Sequence, residues 1–187
     1  MKNNFSFIFA FVLVFYGQMA FASSLVVTKS QVNFLALATP GALKISGKQS
    51  EPESLKTELK IDNNQVSGTS TLKLDSLTTG IGLRDKHMKD NYLEISKFPE
   101  SQFTYKKLSL PSQLQGENIP FEGTLKLHGI EKPVSGTVKI NKQDSSLMLE
   151  HEFKIKTGEF GISTPKYMSV TMGDEVVVQV LVEGNLK

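Results

Sequence analysis

Arg84 to Phe103 reads RDKHMKDNYLEISKFPESQF, a polar stretch set between segments that alternate apolar and polar residues. Within and just before it, Leu83, His87 and Asn91, with Met88 and Tyr92, recur at i, i+4 spacing, which puts them on one face of a helix while Lys86, Lys89 and Asp90 face water. Pro99 stops any helix, because it lacks the amide hydrogen that the next turn requires. One short helix inserted among strands narrows the topology sharply.

On both sides of this stretch the chain has a period of two. In Leu55 to Asp62, Leu55, Thr57, Leu59 and Ile61 alternate with Lys56, Glu58, Lys60 and Asp62, the pattern of a strand with one wet and one buried face. The alternation returns in Val66 to Leu74 and in Phe121 to Leu127, and further strands are expected at Gln31 to Leu37, Gln102 to Leu108, Val134 to Ile140, Leu147 to Lys156 and Glu175 to Glu183. Asp62-Asn63-Asn64, His128-Gly129 and Asn141 to Ser146 supply turn residues that tolerate left-handed backbone, so neighbouring strands should run antiparallel. About eight such strands favour a closed barrel, which leaves no edge exposed, with the helix covering an end or a side.

Composition narrows the function classes. Lys2, the apolar run Phe5 to Tyr16 and Ala20-Phe21-Ala22 have the form of an export signal cut before Ser23, and the run is short for a membrane span, which needs roughly 20 residues. Residues 1–22 are therefore read as a signal peptide and residues 23–187 as one domain, expected in the periplasm or released beyond it, without stable membrane insertion. There is no cysteine, which excludes disulfides, thiolate nucleophiles and Cys-based metal sites. A formal net charge of +2, with both signs interspersed and no tryptophan, gives no basis for nucleic-acid binding. No G-x-S-x-G elbow and no phosphate loop occur, carboxylates fall mainly on wet faces, and His87, His128 and His151 lack zinc spacing. No catalysis, cofactor or metal is expected.

Thr79 followed by Arg84-Asp85-x-His87, Tyr92-Leu93 and Phe98-Pro99, then Phe121-x-Gly123-x-Leu125-x-Leu127-His128-Gly129, Lys132-Pro133-Val134, Phe160-Gly161-Ile162 and Gly173-Asp174-Glu175-Val176, together resemble the YceI-like family of polyisoprenoid-binding proteins. The resemblance implies an all-β fold, an eight-stranded antiparallel lipocalin-like barrel with one short α-helix inserted around residues 80–94. It also implies an apolar lumen that binds isoprenoid chains or related amphiphiles, in a carrier or storage role.

The residues of such a lumen follow from the inward faces. Phe34, Leu59, Leu72, Leu74, Phe103, Tyr105, Leu125, Leu127, Phe153, Ile155, Val178 and Val180 are expected to line it. Gly68, Ser70, Gly123 and Gly136 either make room for an elongated ligand or only relieve curvature. On the first reading, phenylalanine at Ser70 or Gly123 should block binding. Arg84 and His87 either hold a polar headgroup at the mouth or, with Asp85, pin the helix to the rim. His151 shares the inner face with Leu149 and Phe153, so it is either a satisfied core histidine or a partner for a ligand's polar group. The competing account is a barrel filled by its own side chains, binding a protein partner or pairing as a homodimer. Val177 and Leu181, opposite to Val178 and Val180, make the last strand apolar on both faces and supply an outer strip that either the helix or a second copy would cover.

Overall fold

The computed structural model describes residues 23–39, 43–167 and 170–187; the export signal and its cut lie outside the described residues. The strands are β1 (Ser23–Thr39), β2 (Leu43–Gln49), β3 (Leu55–Asp62), β4 (Gln65–Lys73), β5 (Leu77–Thr78), β6 (Glu100–Leu108), β7 (Gly116–Leu127), β8 (Ile130–Gln143), β9 (Ser146–Lys156), β10 (Lys166–Tyr167) and β11 (Val170–Leu186). Their order is β10-β11-β9-β8-β7-β6-β4-β3-β1-β2-β5, and β11 pairs β1 to close the ring. The chain forms an eight-stranded antiparallel barrel with one short helix. The eight staves are β1, β3, β4, β6, β7, β8, β9 and β11, while β2 and β5 carry the β3 and β4 staves past two breaks.

The breaks shape the barrel. One edge of β1 pairs β3 at Ser23 to Leu25 and β2 at Asn33 to Ala38, so its middle lacks a strand partner there. Gln49 fills the gap: its Oε1 accepts the Val32 amide at 3.1 Å, and its Nε2 donates to the carbonyls of Glu51 and Pro52 at 2.5 and 2.8 Å. Ser30 Oγ adds a bond to Pro52 O at 3.0 Å. A buried amide here stands in for a ladder that the Pro52–Ser54 turn interrupts. Gln49→Ala would strand the Val32 amide and remove one bond each from the Glu51 and Pro52 carbonyls, which keep other donors, at a cost of about 1–3 kcal/mol. A drop in melting temperature of several degrees is expected; an unchanged melt would show that water replaces the amide.

At the second break, a turn over Leu74–Ser76 leads into β5 and then into α1 (Gly82–His87). The helix continues through a wider turn over Met88–Tyr92, closed by Leu93 N–H donating to Met88 O at 2.9 Å. The sequence expectation of a helix around 80–94 holds, but its register slips: Asn91 and Leu83 are exposed, while Met88, Tyr92 and Leu93 turn inward.

One half of the barrel, away from the helix, is packed solid. Leu108, Phe121, Val138, Ile140, Leu147, Leu149 and Val182 are buried there, with Leu25, Leu59 and Val66 beside them.

Candidate functional site

At the helix end the packing opens into a cavity of about 570 Å³. Its walls are Val32, Phe34 and Ala36 from β1, Ile45 from β2, Leu72 from β4, Leu125 and Leu127 from β7, Phe153 and Ile155 from β9, and Val176 and Val178 from β11. Leu74, Leu77, Thr79, Met88, Tyr92 and Leu93 close one side, and Ile162, Pro165, Lys166 and Met172 another. Ile81 and Leu83 also border it yet are 54% and 68% exposed, so they mark the mouth. From Phe153 at the bottom to Thr157 at the rim, four residues of chain span about 13 Å.

Of the residues expected on the lumen wall, the structure brings Phe34, Leu72, Leu74, Leu125, Leu127, Phe153, Ile155 and Val178 together around this space, with Arg84 and His87 at its rim. Leu59, Ser70, Phe103, Tyr105, His151 and Val180 lie outside its lining. They point inward as the alternation requires, but below the cavity Tyr105 packs against Phe103 and His151, and both of these pack against Phe121.

That packing is the floor. Phe103 meets Tyr105, Phe121 and Phe153 with ring centroids 4.8, 5.8 and 6.1 Å apart. Tyr105 Oη lies 3.0 Å from His151 Nε2, and His151 Nδ1 lies 3.3 Å from the Val180 carbonyl. A carbonyl only accepts, so Nδ1 carries the proton, Nε2 accepts from the tyrosine, and His151 is the satisfied core histidine. Burial holds its pKa down at about 4, against the opposing bond to Val180, and burial likewise pushes the Tyr105 phenol up.

The small inward residues do not create the cavity, which corrects the reading that they make room for a ligand. A Cβ on Gly123 would sit 2.1 Å from Phe103 Cζ, and one on Gly136 would sit 2.7 Å from Phe153 Cβ, so both glycines are already covered by aromatic side chains. Gly68, at φ +135°, would meet the Glu58 carbonyl at 2.0 Å. Ser70 is buried and accepts from Thr57 Oγ1 at 3.0 Å. Phenylalanine at Ser70 or Gly123 therefore overpacks the floor instead of blocking a void. Gly123→Ala alone should cost about 1–3 kcal/mol, read as a lower urea midpoint; an unshifted midpoint would mean that Phe103 swings away freely.

The polar rim is built on Thr79. Asp85 accepts from Thr78 Oγ1 at 2.6 Å, from the Thr79 amide at 2.7 Å and from the Thr79 hydroxyl. Burial is the largest single influence and raises its pKa, but these bonds and Lys89 together outweigh it and hold the carboxyl below its ordinary value. Arg84 Nε donates to Thr79 Oγ1 at 2.8 Å and Nη2 to Thr79 O at 3.0 Å. Arg84 and Asp85 do pin the helix to the rim, as the structural reading of the pair had it, while Arg84 also borders the cavity. His128, at φ +52° in the β7–β8 turn, stitches the same region: its Nε2 lies 2.9 Å from Glu94 Oε2, its Nδ1 lies 3.1 Å from the Phe160 carbonyl, and Phe98 packs on its ring.

The mouth residues were harder to find from sequence. Val32, Ala36 and Val176 continue alternations already recognised around Phe34 and Val178, so extending those strands would have included them. Ile81, Ile162 and Pro165 lie outside the helix and the strands and have no period, while Leu83 belongs to α1 and falls at the helical spacing noted above. Among the described residues, no cluster of three or more His, Cys, Asp or Glu could hold a metal ion, and no helix is long and apolar enough to cross a membrane.

The model of the YceI-like domain matches residues 21–184. This chain belongs to the YceI-like family. Protein YceI of Salmonella newport (strain SL254) and of Salmonella dublin are each 32% identical over 101 residues, 50% of this chain and 51% of theirs. The chain thus matches about half the length of these curated relatives. Among solved structures, Burkholderia cenocepacia BcnA superposes with a TM-score of 0.68 at 16% identity, covering 83% of this chain and 96% of that one. A polyisoprenoid binding domain from Saccharophagus degradans, implicated in plant cell wall breakdown, gives 0.63 at 15% identity over 88% and 98%. Campylobacter jejuni YCEI protein gives 0.59 at 22% identity over 76% and 85%. At these identities the likeness is one of fold, and the YceI-like barrel it indicates is the one described above.

Proposed function

We propose that this YceI-like protein is an exported carrier that shelters an isoprenoid or other long-chain amphiphile in the helix-end cavity and performs no chemistry on it. The observation that carries this reading is the cavity itself, deep, almost wholly apolar in lining and closed below by the aromatic floor. The polyisoprenoid binding of the Saccharophagus domain, which shares the fold, supports it, and the signal-like residues 1–22 support a periplasmic site of action. A wall of about 13 Å along β9 matches roughly ten carbons of an extended chain lying beside the strand, since each C–C bond of about 1.5 Å advances a zigzag by ~1.3 Å. Burying them at about 0.8 kcal/mol per CH₂ releases on the order of 8 kcal/mol before ordering costs. A longer chain would leave past Ile81 and Leu83.

Native mass spectrometry tests this on protein taken from the periplasmic fraction without detergent. The expected result is a chain starting at Ser23 with one apolar adduct, identified after organic extraction. A bare mass that persists after incubation with isoprenoid quinones and prenyl phosphates would refute the carrier.

A second reading, pairing of two copies along the outer faces of β1 and β11, draws on Leu37, which is 49% exposed, and on the neighbouring Leu35, Val177 and Leu181. A sedimentation coefficient independent of concentration would remove it.

A further inference from the structure

The rim of the cavity carries a charge that its walls do not balance. We infer, building on the carrier reading, that the cavity takes an amphiphile with an anionic head, a carboxylate or a phosphate, held at the mouth by Arg84 and Lys166. The side chains that border the cavity include Arg84, Lys166 and His87 but no Asp or Glu. Arg84 spends two of its five N–H donors, both on neutral oxygens of Thr79, which leaves the Nη1 pair and one Nη2 hydrogen for another acceptor.

The nearby carboxylates are occupied elsewhere. Asp85 is filled by Thr78 and Thr79, and it reaches Arg84 only through the Thr79 hydroxyl, which aims the guanidinium without pairing with it. Asp90 and Asp75 pair with Lys86 and Lys89 at 2.5 and 3.1 Å. Among the described residues Arg84 and Lys166 make no ion pair, and the segments outside them contain no Asp or Glu.

Position completes the argument. Arg84 follows the exposed Leu83 and Lys166 is itself exposed, so an anion held by either keeps part of its water and is spared the cost of full burial. The planar fork of Arg84 suits two oxygens of a carboxylate or phosphate. A volume of about 570 Å³ above a blind floor is that of one small-ligand site.

The test uses the full mature chain, freed of lipid, with hexadecanoate, farnesyl phosphate and the matching alcohols hexadecanol and farnesol competing against a fluorescent fatty probe. Both anions should bind at least about tenfold tighter than their alcohols, the effect of one or two charge-assisted bonds. A larger ratio for the phosphate pair would assign the head as phosphate, and a larger ratio for the hexadecanoate pair as carboxylate. Lys166→Gln and Arg84→Gln should each shrink the preference, the anions losing more affinity than the alcohols. Arg84→Lys should keep most of the preference while lowering the melting temperature, because it retains the charge and loses the brace on Thr79. Alcohols binding as tightly as anions, or a preference that survives both glutamine variants, would overturn the anionic head and leave the carrier standing. Failure of all four compounds to displace the probe would overturn both.

Discussion

Ala36→Trp is expected to lower affinity for apolar chains about 100-fold while the protein still folds. Ala36 lies on the inner face of β1, opposite Ile45 on one side and Val176 on the other, and all three side chains border the cavity. An indole there projects into unfilled space, so it displaces no packed neighbour and should not incur the overpacking cost that a filled core imposes. It does exclude three or four carbons of a bound chain, and at about 0.8 kcal/mol each that is roughly two decades of affinity. Titration with the fluorescent fatty probe, alongside a thermal melt, measures both consequences. A variant that melts like the parent and binds within threefold of it would place the ligand elsewhere.

Acid should weaken the fold through His151, by on the order of 3 kcal/mol between pH 6.5 and about pH 4. His151 is 4% exposed and, with its pKa held near 4 by burial, remains neutral in the folded barrel where an unfolded histidine near 6.5 would already bind a proton. In that window the unfolded state takes up more protons than the folded one, so stability falls as pH falls; above pH 6.5 the contribution is complete and flat. A depression of this size corresponds to about 1.4 kcal/mol for each pH unit. Protonation would also convert Nε2 from acceptor to donor and remove the bond from Tyr105, in the floor of the cavity. Urea unfolding at pH 7, 5.5 and 4.5 should show a steep loss in the parent and a shallower one in His151→Gln. Parallel slopes would mean that the ring is already charged in the folded state or that water reaches it.

The strands were legible because one face of each is buried. The stretch from Leu55 to Asp62 forms a strand over that same span, the run from Val66 loses Leu74 to the turn that follows it, and the other runs needed only lengthening at their ends. The strand at Leu43–Gln49 was not legible, since among its described side chains Ile45 is the only large apolar one, and Gly47 lies beneath the Phe34 ring. The polar cluster Arg84-Asp85-x-His87 was visible, and its brace function follows from Thr78 and Thr79 just upstream.

The location of the empty space could not be read from the inward residues. Glycines looked like gaps, yet rings from neighbouring strands cover them, as Phe103 covers Gly123, so a small residue on one strand reports a large one on the next. The cavity instead depends on the two breaks in the staves and on the helix beside them. Side chains that alternate identically, such as Tyr105 and Leu125, therefore fall on opposite sides of the floor.

The division of the barrel into a filled half and an open half is the central claim, and photo-crosslinking with a diazirine placed at the far end of a hexadecanoyl chain tests it most directly. Peptide mapping should find the label on Phe34, Leu72, Leu125, Phe153, Ile155 or Val178. Label on Val66, Leu108, Ile140 or Leu149 in the packed half, or spread over the outer face, would contradict it.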